Sequence, residues 1–195
     1  MITIEREIMM IKTLMAMMLS FMILGCTTTS TDSLKNNMSE RQKINSQVNE
    51  TLVQLYKEAK GSEQMALQAK GILIFPSVYT AALVVGGEYG KGALRIGNKN
   101  AGYYQTVTGS LGVQAGAQSK AIILFFMTKE SLTDFQKSNG WTAGAHANIA
   151  LFKVGADGTI DTDTAKASIV GFVLTNGGLM FNASLNGTKV SKLDI

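Results

Sequence analysis

GILIF at residues 71–75 and AIILFFM at residues 121–127 are the two stretches that decide the fold. Each is a continuous apolar run, and Pro76 directly follows the first. A half-exposed strand alternates apolar and polar residues, whereas a strand covered on both faces reads as an unbroken apolar run. We therefore predict two central strands that are buried on both faces.

Further strands are predicted around these runs. One lies near residues 92–97 and another near residues 103–109, with a turn at residues 98–100 between them. From Trp141 to Leu151, apolar side chains alternate with polar ones or glycine, which is typical of a half-buried strand. Three hairpin turns are predicted at Asp157-Gly158, Asn176-Gly177 and Asn186-Gly187, so we expect an antiparallel meander at the carboxyl end.

Three helices are predicted beside the strands. Between residues 40 and 60, apolar side chains recur every three or four residues and line one helix face, which ends at Gly61. A second helix spans residues 62–70 with Ser62 as its N-cap, and a third spans residues 130–138. The predicted fold class is α+β, with N-terminal amphipathic helices packed on a curved, mostly antiparallel β-sheet or barrel-like body.

The composition supports a folded, β-rich domain and excludes several chemistries. Hydrophobic residues make up 46% and charged residues 16%, which is enough to bury a core. Cys26 is the only cysteine, so intramolecular disulfides, two-cysteine zinc sites and CxxC redox sites are excluded. A net charge of +4 permits contact with nucleic acid, anionic lipid or other polyanions without selecting among them.

The amino-terminal segment has the features of an export signal. Residues 9–24, MMIKTLMAMMLSFMIL, combine the cation Lys12 with an apolar run that is too short to span a bilayer. The run ends in Ile23-Leu24-Gly25-Cys26, which resembles the bacterial lipobox. We expect residues 1–25 to be a lipoprotein signal peptide and Cys26 to become the acylated first residue of the mature chain.

The rest of the domain organisation follows from this signal. Acidic residues at positions 5 and 7 are unusual before such a run, so translation is expected to start at Met9 or Met10 instead of Met1. Residues 26–39 are predicted to be a flexible tether and residues 40–195 the folded domain. Thr27 favours the outer membrane over the inner, so we expect an envelope protein at the periplasmic face with no nucleic-acid partner.

Ordered sequence blocks give the chain a family resemblance. They are AKGILIFP (69–76), GGEYGKG (86–92), LGVQAGAQS (111–119), FMT (126–128), GWTAGA (140–145) and NGGLMFNASLNGTKV (176–190). In this order they resemble the SYLF lipid-binding family, which also includes actin-binding fungal relatives. The resemblance implies a non-enzymatic domain that binds anionic membrane lipids, which are phosphoinositides in eukaryotic members.

The expected ligand differs from that of the eukaryotic members. Their lipid binding is attributed to a basic amphipathic segment before the β-body. The corresponding candidate lipid-binding residues here are Lys57, Lys60 and Lys70, but they alternate with glutamates and the segment is close to neutral. Bacterial envelopes generally lack phosphoinositides. The expected partners are therefore phosphatidylglycerol, cardiolipin or another component with a phosphoinositide-like acidic headgroup.

A second candidate lipid site lies in the predicted sheet. Lys91, Arg95 and Lys99 have the same parity, so one regular strand would present three cations on one side. Each basic residue near an anionic surface contributes about 1 kcal/mol. A solvated strand face with protective charge is the alternative interpretation, and it is the commoner one.

No catalytic, metal or cofactor site is predicted. GGEYGKG lacks the GK[ST] ending of a phosphate-binding loop and is interpreted as a glycine-permitted turn or bulge. His146 is the only histidine and has no activated nucleophile nearby in sequence, and the acidic residues at 157, 161 and 163 do not follow the EF-hand order.

Two main functional hypotheses remain. In the first, a lipid-anchored envelope protein binds anionic lipid through its SYLF domain. In the second, the acyl anchor supplies all the membrane affinity and the domain is a structural or protein-interaction module that docks to an envelope protein. A hydrolase that uses His146 is a distant third.

Overall fold

The computed structural model describes residues 30–82, 85–97, 99–111, 118–152, 164, 166–181 and 183–195. Met38–Ile195 form one compact unit. The predicted signal peptide, Cys26 and residues 27–29 of the predicted tether lie outside the described residues, as does the Asp157-Gly158 turn.

Three helices have defined bounds in the described part of the chain: α1 (Ser30–Glu58), α2 (Ser62–Gln68) and α3 (Lys129–Lys137). Helix α1 includes residues 30–39, which we had expected to be a flexible tether. These ten residues, STDSLKNNMS, are mostly polar but contain neither glycine nor proline, so nothing in them stops a helix. The polar composition was wrongly interpreted as coil.

The cap of α2 also differs from the prediction. Gly61, at φ +86°, is the N-cap, and it leaves Ser62 as the first helical residue. Ser62 is fully buried, and its hydroxyl donates to the carbonyl oxygen of Leu55 at 3.3 Å instead of capping the helix. Glycine occupies the cap because it adopts the left-handed conformation without steric cost.

In the described part of the chain, nine strands form one sheet. Their bounds are β1 (Gly71–Ala82), β2 (Val85–Ile96), β3 (Lys99–Leu111), β4 (Gln118–Phe126), β5 (Trp141–Thr142), β6 (Ala150–Leu151), β7 (Ile169–Thr175), β8 (Gly178–Leu179) and β9 (Lys189–Lys192). The order is β5-β9-β3-β2-β1-β4-β7-β6, with β8 paired to β7. Among these nine strands, only β6 and β7 pair in parallel. The sheet is strongly curled, and the N-terminal helix packs on it. This arrangement confirms the predicted α+β class.

The two apolar runs lie in the centre of the sheet and separate two cores. Ile74, Ile123 and Phe125 point toward α1 and pack in a cluster that we call the α1-side core. Leu73 and Leu124 point the other way, into the α3-side core, which includes Phe135 of α3. Because successive side chains of a strand point to opposite faces, an unbroken apolar run supplies both cores.

A β-bulge interrupts β1 at Pro76. The register of β1 shifts between Ile74 and Ser77 against β2, and between Phe75 and Val78 against β4. Proline has no backbone N–H and is therefore tolerated at a bulge. Opposite the bulge, β2 approaches so closely that a Cβ atom at Gly92 would lie 2.0 Å from the carbonyl oxygen of Ile74.

The predicted strand from Trp141 to Leu151 is wrong as a continuous element. Only its ends are extended, as β5 and β6, and the chain turns between them. Gly144 has φ +83°, and the amide of His146 donates to the carbonyl oxygen of Thr142 at 2.9 Å. The alternating pattern of residues 141–151 therefore does not come from one strand, because its middle part is a turn that contains mostly alanine and glycine.

The predicted carboxyl-terminal meander is also wrong. The Asn176-Gly177 hairpin is confirmed, because Thr175 pairs with Gly178 across it. Asn186-Gly187 is a turn, but the strand that follows it, β9, pairs with β3 and β5 at the other end of the sheet from β7.

We predict that Gly92→Ala lowers the free energy of unfolding by about 2–3 kcal/mol, because its methyl group overlaps the backbone of β1. Gly109→Ala is the matched control, since a Cβ atom there meets nothing within 4 Å. It should change stability by less than about 0.5 kcal/mol. Urea denaturation of both variants checks this, and equal stability of the two would contradict the close approach.

Candidate functional site

The structure does not place Lys91, Arg95 and Lys99 on one face. The chain reverses at Gly97, which has φ +58°, and Lys99 pairs directly with Ile96. Directly paired residues point to the same side of a sheet, and Ile96 alternates with Arg95. Lys99 therefore lies on the side opposite to Arg95, and the predicted common face is wrong for Lys99.

Helix α1 packs over the face that carries Lys91 and Arg95. The Lys91 ammonium forms an ion pair with Glu40, and Nη2 of Arg95 donates to Oδ1 of Asn49 at 2.9 Å. Ala93, between the two cations, is fully buried in the α1-side core. The hydrogen bond to Glu40 raises the pKa of Lys91 above its ordinary value, although partial burial opposes the shift.

The three remaining predicted cations lie elsewhere on the surface. Lys57 and Lys60 are exposed at the carboxyl end of α1 and in the turn that follows, and Lys70 is exposed just before β1. At 1.5 Å per helical residue, Lys57 lies about 21 Å along α1 from Lys43. Lipid binding by these residues stays a prediction, and the predicted set does not converge on one surface.

An exposed row of side chains was missed by the sequence analysis. Tyr79 of β1 lies directly opposite Tyr89 of β2, which in turn lies opposite Val107 of β3. Their exposed fractions are 61%, 43% and 48%. We call this row the tyrosine face. Tyr89 lies within GGEYGKG, but its pairing with Tyr79 depends on a register that the sequence alone does not reveal.

Basic residues flank the tyrosine face. A cleft of about 280 Å³ beside it is lined by Tyr79, Tyr89 and residues of α1 that include Lys43. On the other side, exposed Lys189 of β9 lies directly opposite Val107. Within the described ranges, neither Lys43 nor Lys189 forms an ion pair. The surface thus combines amphipathic aromatic side chains with uncompensated positive charge.

A second cleft lies farther along α1, and we call it the Arg95 cleft. It has a volume of about 470 Å³ and is bounded by α1, α2, the start of β1 and the β2–β3 turn. Its polar lining residues are Arg95, Asn49, Tyr56 and Glu63, and its apolar lining residues include Leu52, Ala66, Leu67, Ala69 and Ile72. Burial, with a smaller contribution from Glu63, raises the pKa of Tyr56 above its ordinary value of 10.

GGEYGKG is part of strand β2 and not a loop. Glu88 accepts hydrogen bonds from Nζ of Lys120 at 2.8 Å and from Oγ1 of Thr80 at 3.3 Å. Since Glu88 and Tyr89 are consecutive, this cluster lies on the face opposite to Tyr89. The residues after Gly92 continue the strand, so the segment lacks the helix that a phosphate-binding loop requires.

His146 lies in an exposed turn. Its Nδ1 accepts a hydrogen bond from the backbone amide of Thr142 at 3.1 Å, which gives the side chain a structural role in that turn. In the part of the chain that the structure describes, no group of three or more His, Cys, Asp or Glu side chains is placed to hold a metal ion. No helix among these residues is long and apolar enough to cross a membrane.

Residues 107–194 match the model of the Ysc84 family, which is described as Las17-binding protein actin regulator. This match confirms the predicted resemblance to the family, which is known for lipid- and actin-binding modules. A sequence comparison with curated proteins gave no match.

We predict that Glu63→Gln lowers the pKa of Tyr56, because it removes the nearby negative charge that opposes ionisation of the phenol. Since the folded pKa is raised, Tyr56 contributes stability below pH 10 that is lost as the pH rises through the folded pKa. Absorbance titration at 295 nm, with Tyr56→Phe to assign the signal, measures the shift. An unchanged titration would contradict the placement of Glu63 beside Tyr56.

Proposed function

We propose that the protein is an envelope lipoprotein, anchored through acylated Cys26, whose folded domain binds anionic lipid through the tyrosine face. The observation that carries the proposal is the open row of Tyr79, Tyr89 and Val107 between two uncompensated lysines. Binding is proposed without catalysis, cofactor or metal.

The chemistry of the tyrosine face suits a bilayer surface. Tyrosine has an apolar ring and a polar hydroxyl, and it is enriched where membrane meets water. Neighbouring strands lie about 4.8 Å apart, so the row spans about 10 Å across three strands. Lys43 and Lys189 add attraction of about 1 kcal/mol each near an acidic surface.

The acyl anchor and the domain have different roles in this proposal. Two or more acyl chains on Cys26 would hold the chain at the membrane without help from the domain. The domain then needs only weak affinity, because tethering raises its effective concentration at the same surface. The proposed location is the periplasmic face of the envelope, preferably at the outer membrane, with phosphatidylglycerol or cardiolipin as the lipid.

A protein partner is the alternative occupant of the tyrosine face. The family description names a protein that binds another protein, Las17, and this favours a docking function. In that case the anchor supplies all the membrane affinity, and the domain recognises an envelope protein. Exposed tyrosines are also common at protein interfaces.

Cosedimentation of Met38–Ile195 with vesicles separates these functions, since this unit carries both cores and lacks Cys26. We expect binding to phosphatidylglycerol or cardiolipin vesicles, little binding to phosphatidylcholine, and weaker binding at higher salt. Tyr79→Ser/Tyr89→Ser should lower the affinity about tenfold. Lys43→Gln/Lys189→Gln should lower both the affinity and its salt dependence.

Lys57→Gln/Lys60→Gln is the matched control, because it removes two exposed charges far from the tyrosine face. It should stay within twofold of the parent chain. If it instead abolishes binding, the lipid site is the basic helix end that the family resemblance suggests. If the parent domain binds no acidic vesicle, the protein-docking alternative replaces the lipid proposal.

A further inference from the structure

Arg95 is a cation whose hydrogen-bonding capacity is largely unused. A guanidinium has five N–H donors, and Nη2 of Arg95 makes the one side-chain hydrogen bond described above, to Asn49. Its Nε is buried and has no hydrogen-bond partner among the described residues. No carboxylate in the described ranges lies within ion-pair distance of Arg95.

An unpaired guanidinium in this position is unfavourable unless something else satisfies it. Buried N–H donors in folded proteins nearly always have an acceptor, and a partly buried charge without a counter-ion carries a desolvation cost. Arginine also matches the planar geometry of carboxylates and phosphates. The side chain is therefore suited to an oxyanion that enters from the cleft it lines.

The remainder of the Arg95 cleft is suited to an apolar chain. Leu52 of α1, Leu67 of α2 and Ile72 of β1 line it, and 78% of the surface of Leu67 is exposed. Pockets that bind small ligands have volumes of about 300–1,000 Å³ and combine apolar walls with a few polar groups. A volume of about 470 Å³ fits a single chain.

We infer that the Arg95 cleft binds a single-chain amphiphile with an anionic head, which pairs with Arg95 while the chain lies along the apolar wall. A carboxylate and a phosphate monoester share this head chemistry. The tyrosine face flanks the Glu40–Gln47 part of α1, whereas this cleft uses the part from Asn49 to Tyr56. The inference therefore goes beyond the proposed bilayer contact and does not depend on it.

Glu63 provides a second test, because its charge is opposite to that of Arg95. It is the acidic residue among the lining side chains, and it lies close enough to Tyr56 to raise the pKa of that phenol. Its negative charge opposes a bound anion, whereas the charge of Arg95 attracts one. Neutralising the two residues should therefore change the affinity in opposite directions.

The experiment is calorimetric titration of the full chain carrying Cys26→Ser with laurate, dodecyl phosphate and dodecylamine, each below its micelle concentration. We expect saturable binding of laurate or dodecyl phosphate at one site, and at least tenfold weaker binding of dodecylamine. Whichever anion binds more tightly identifies the source as a free fatty acid or a lipid phosphate. Equal affinity for the amine would overturn the assignment of the head to Arg95.

Variants locate the site. Arg95→Gln should weaken binding of the anion at least tenfold, and Glu63→Gln should strengthen it two- to fivefold. Lys99→Gln removes one positive charge from the opposite face of the sheet and should change nothing. Leu67→Ser should weaken all three amphiphiles alike, because it alters only the apolar wall.

The outcomes are separable from those of the vesicle experiment. All variants share residues 1–37, so any difference between them arises in the folded unit. Unchanged laurate and dodecyl phosphate binding in Arg95→Gln, in a protein with an unaltered melting temperature, would overturn the inference. Loss of vesicle binding in Tyr79→Ser/Tyr89→Ser with laurate binding intact would leave this inference standing, and the reverse result would leave the tyrosine face standing.

Discussion

The structure depends on burial of β1 and β4 on both faces. Ile74 and Ile123 supply the core under α1, whereas Leu73 and Leu124 supply the core under α3. A sheet with two apolar faces must be covered twice, so the chain places helices before β1 and after β4. The tyrosine face and the Arg95 cleft both lie where α1 and α2 leave part of the sheet uncovered.

The bulge at Pro76 is the feature that creates the tyrosine face. Phe75 and Val78 both point into the α3-side core although three positions separate them, which an unbroken strand would not allow. The extra residue moves Tyr79 to the other side of the sheet, opposite Tyr89. Gly92 permits the close approach of β2 that this arrangement requires.

The sequence therefore predicts the core much better than the surface. Unbroken apolar runs and helical periodicity depend on local pattern, and the central strands and the α+β class followed from them. The common face of Lys91, Arg95 and Lys99 failed because the chain reverses at Gly97. Strand β9 pairs with β3 instead of extending a meander. Turn sequences such as Asn186-Gly187 predict only local pairing, so they could not predict this long-range one.

The availability of each positive charge for a ligand depends on its neighbouring side chains, not on the net charge of the protein. Lys91 is compensated by Glu40, Lys120 by Glu88, and Arg95 only by the neutral amide of Asn49. A net charge of +4 conveys none of these differences. These distinct environments are why we propose the tyrosine face for the bilayer contact and the Arg95 cleft for the single-chain anion.

The central claim is that the domain itself meets acidic lipid through the tyrosine face. Because Met38–Ile195 has no cysteine, one can be introduced as Val107→Cys, at the end of that row, or as Val53→Cys, at an exposed position of α1 outside it. An environment-sensitive fluorophore at residue 107 should shift to the blue on phosphatidylglycerol or cardiolipin vesicles, whereas the same label at residue 53 should not. Equal shifts at both positions, or none at residue 107 when the domain is bound, would contradict the account.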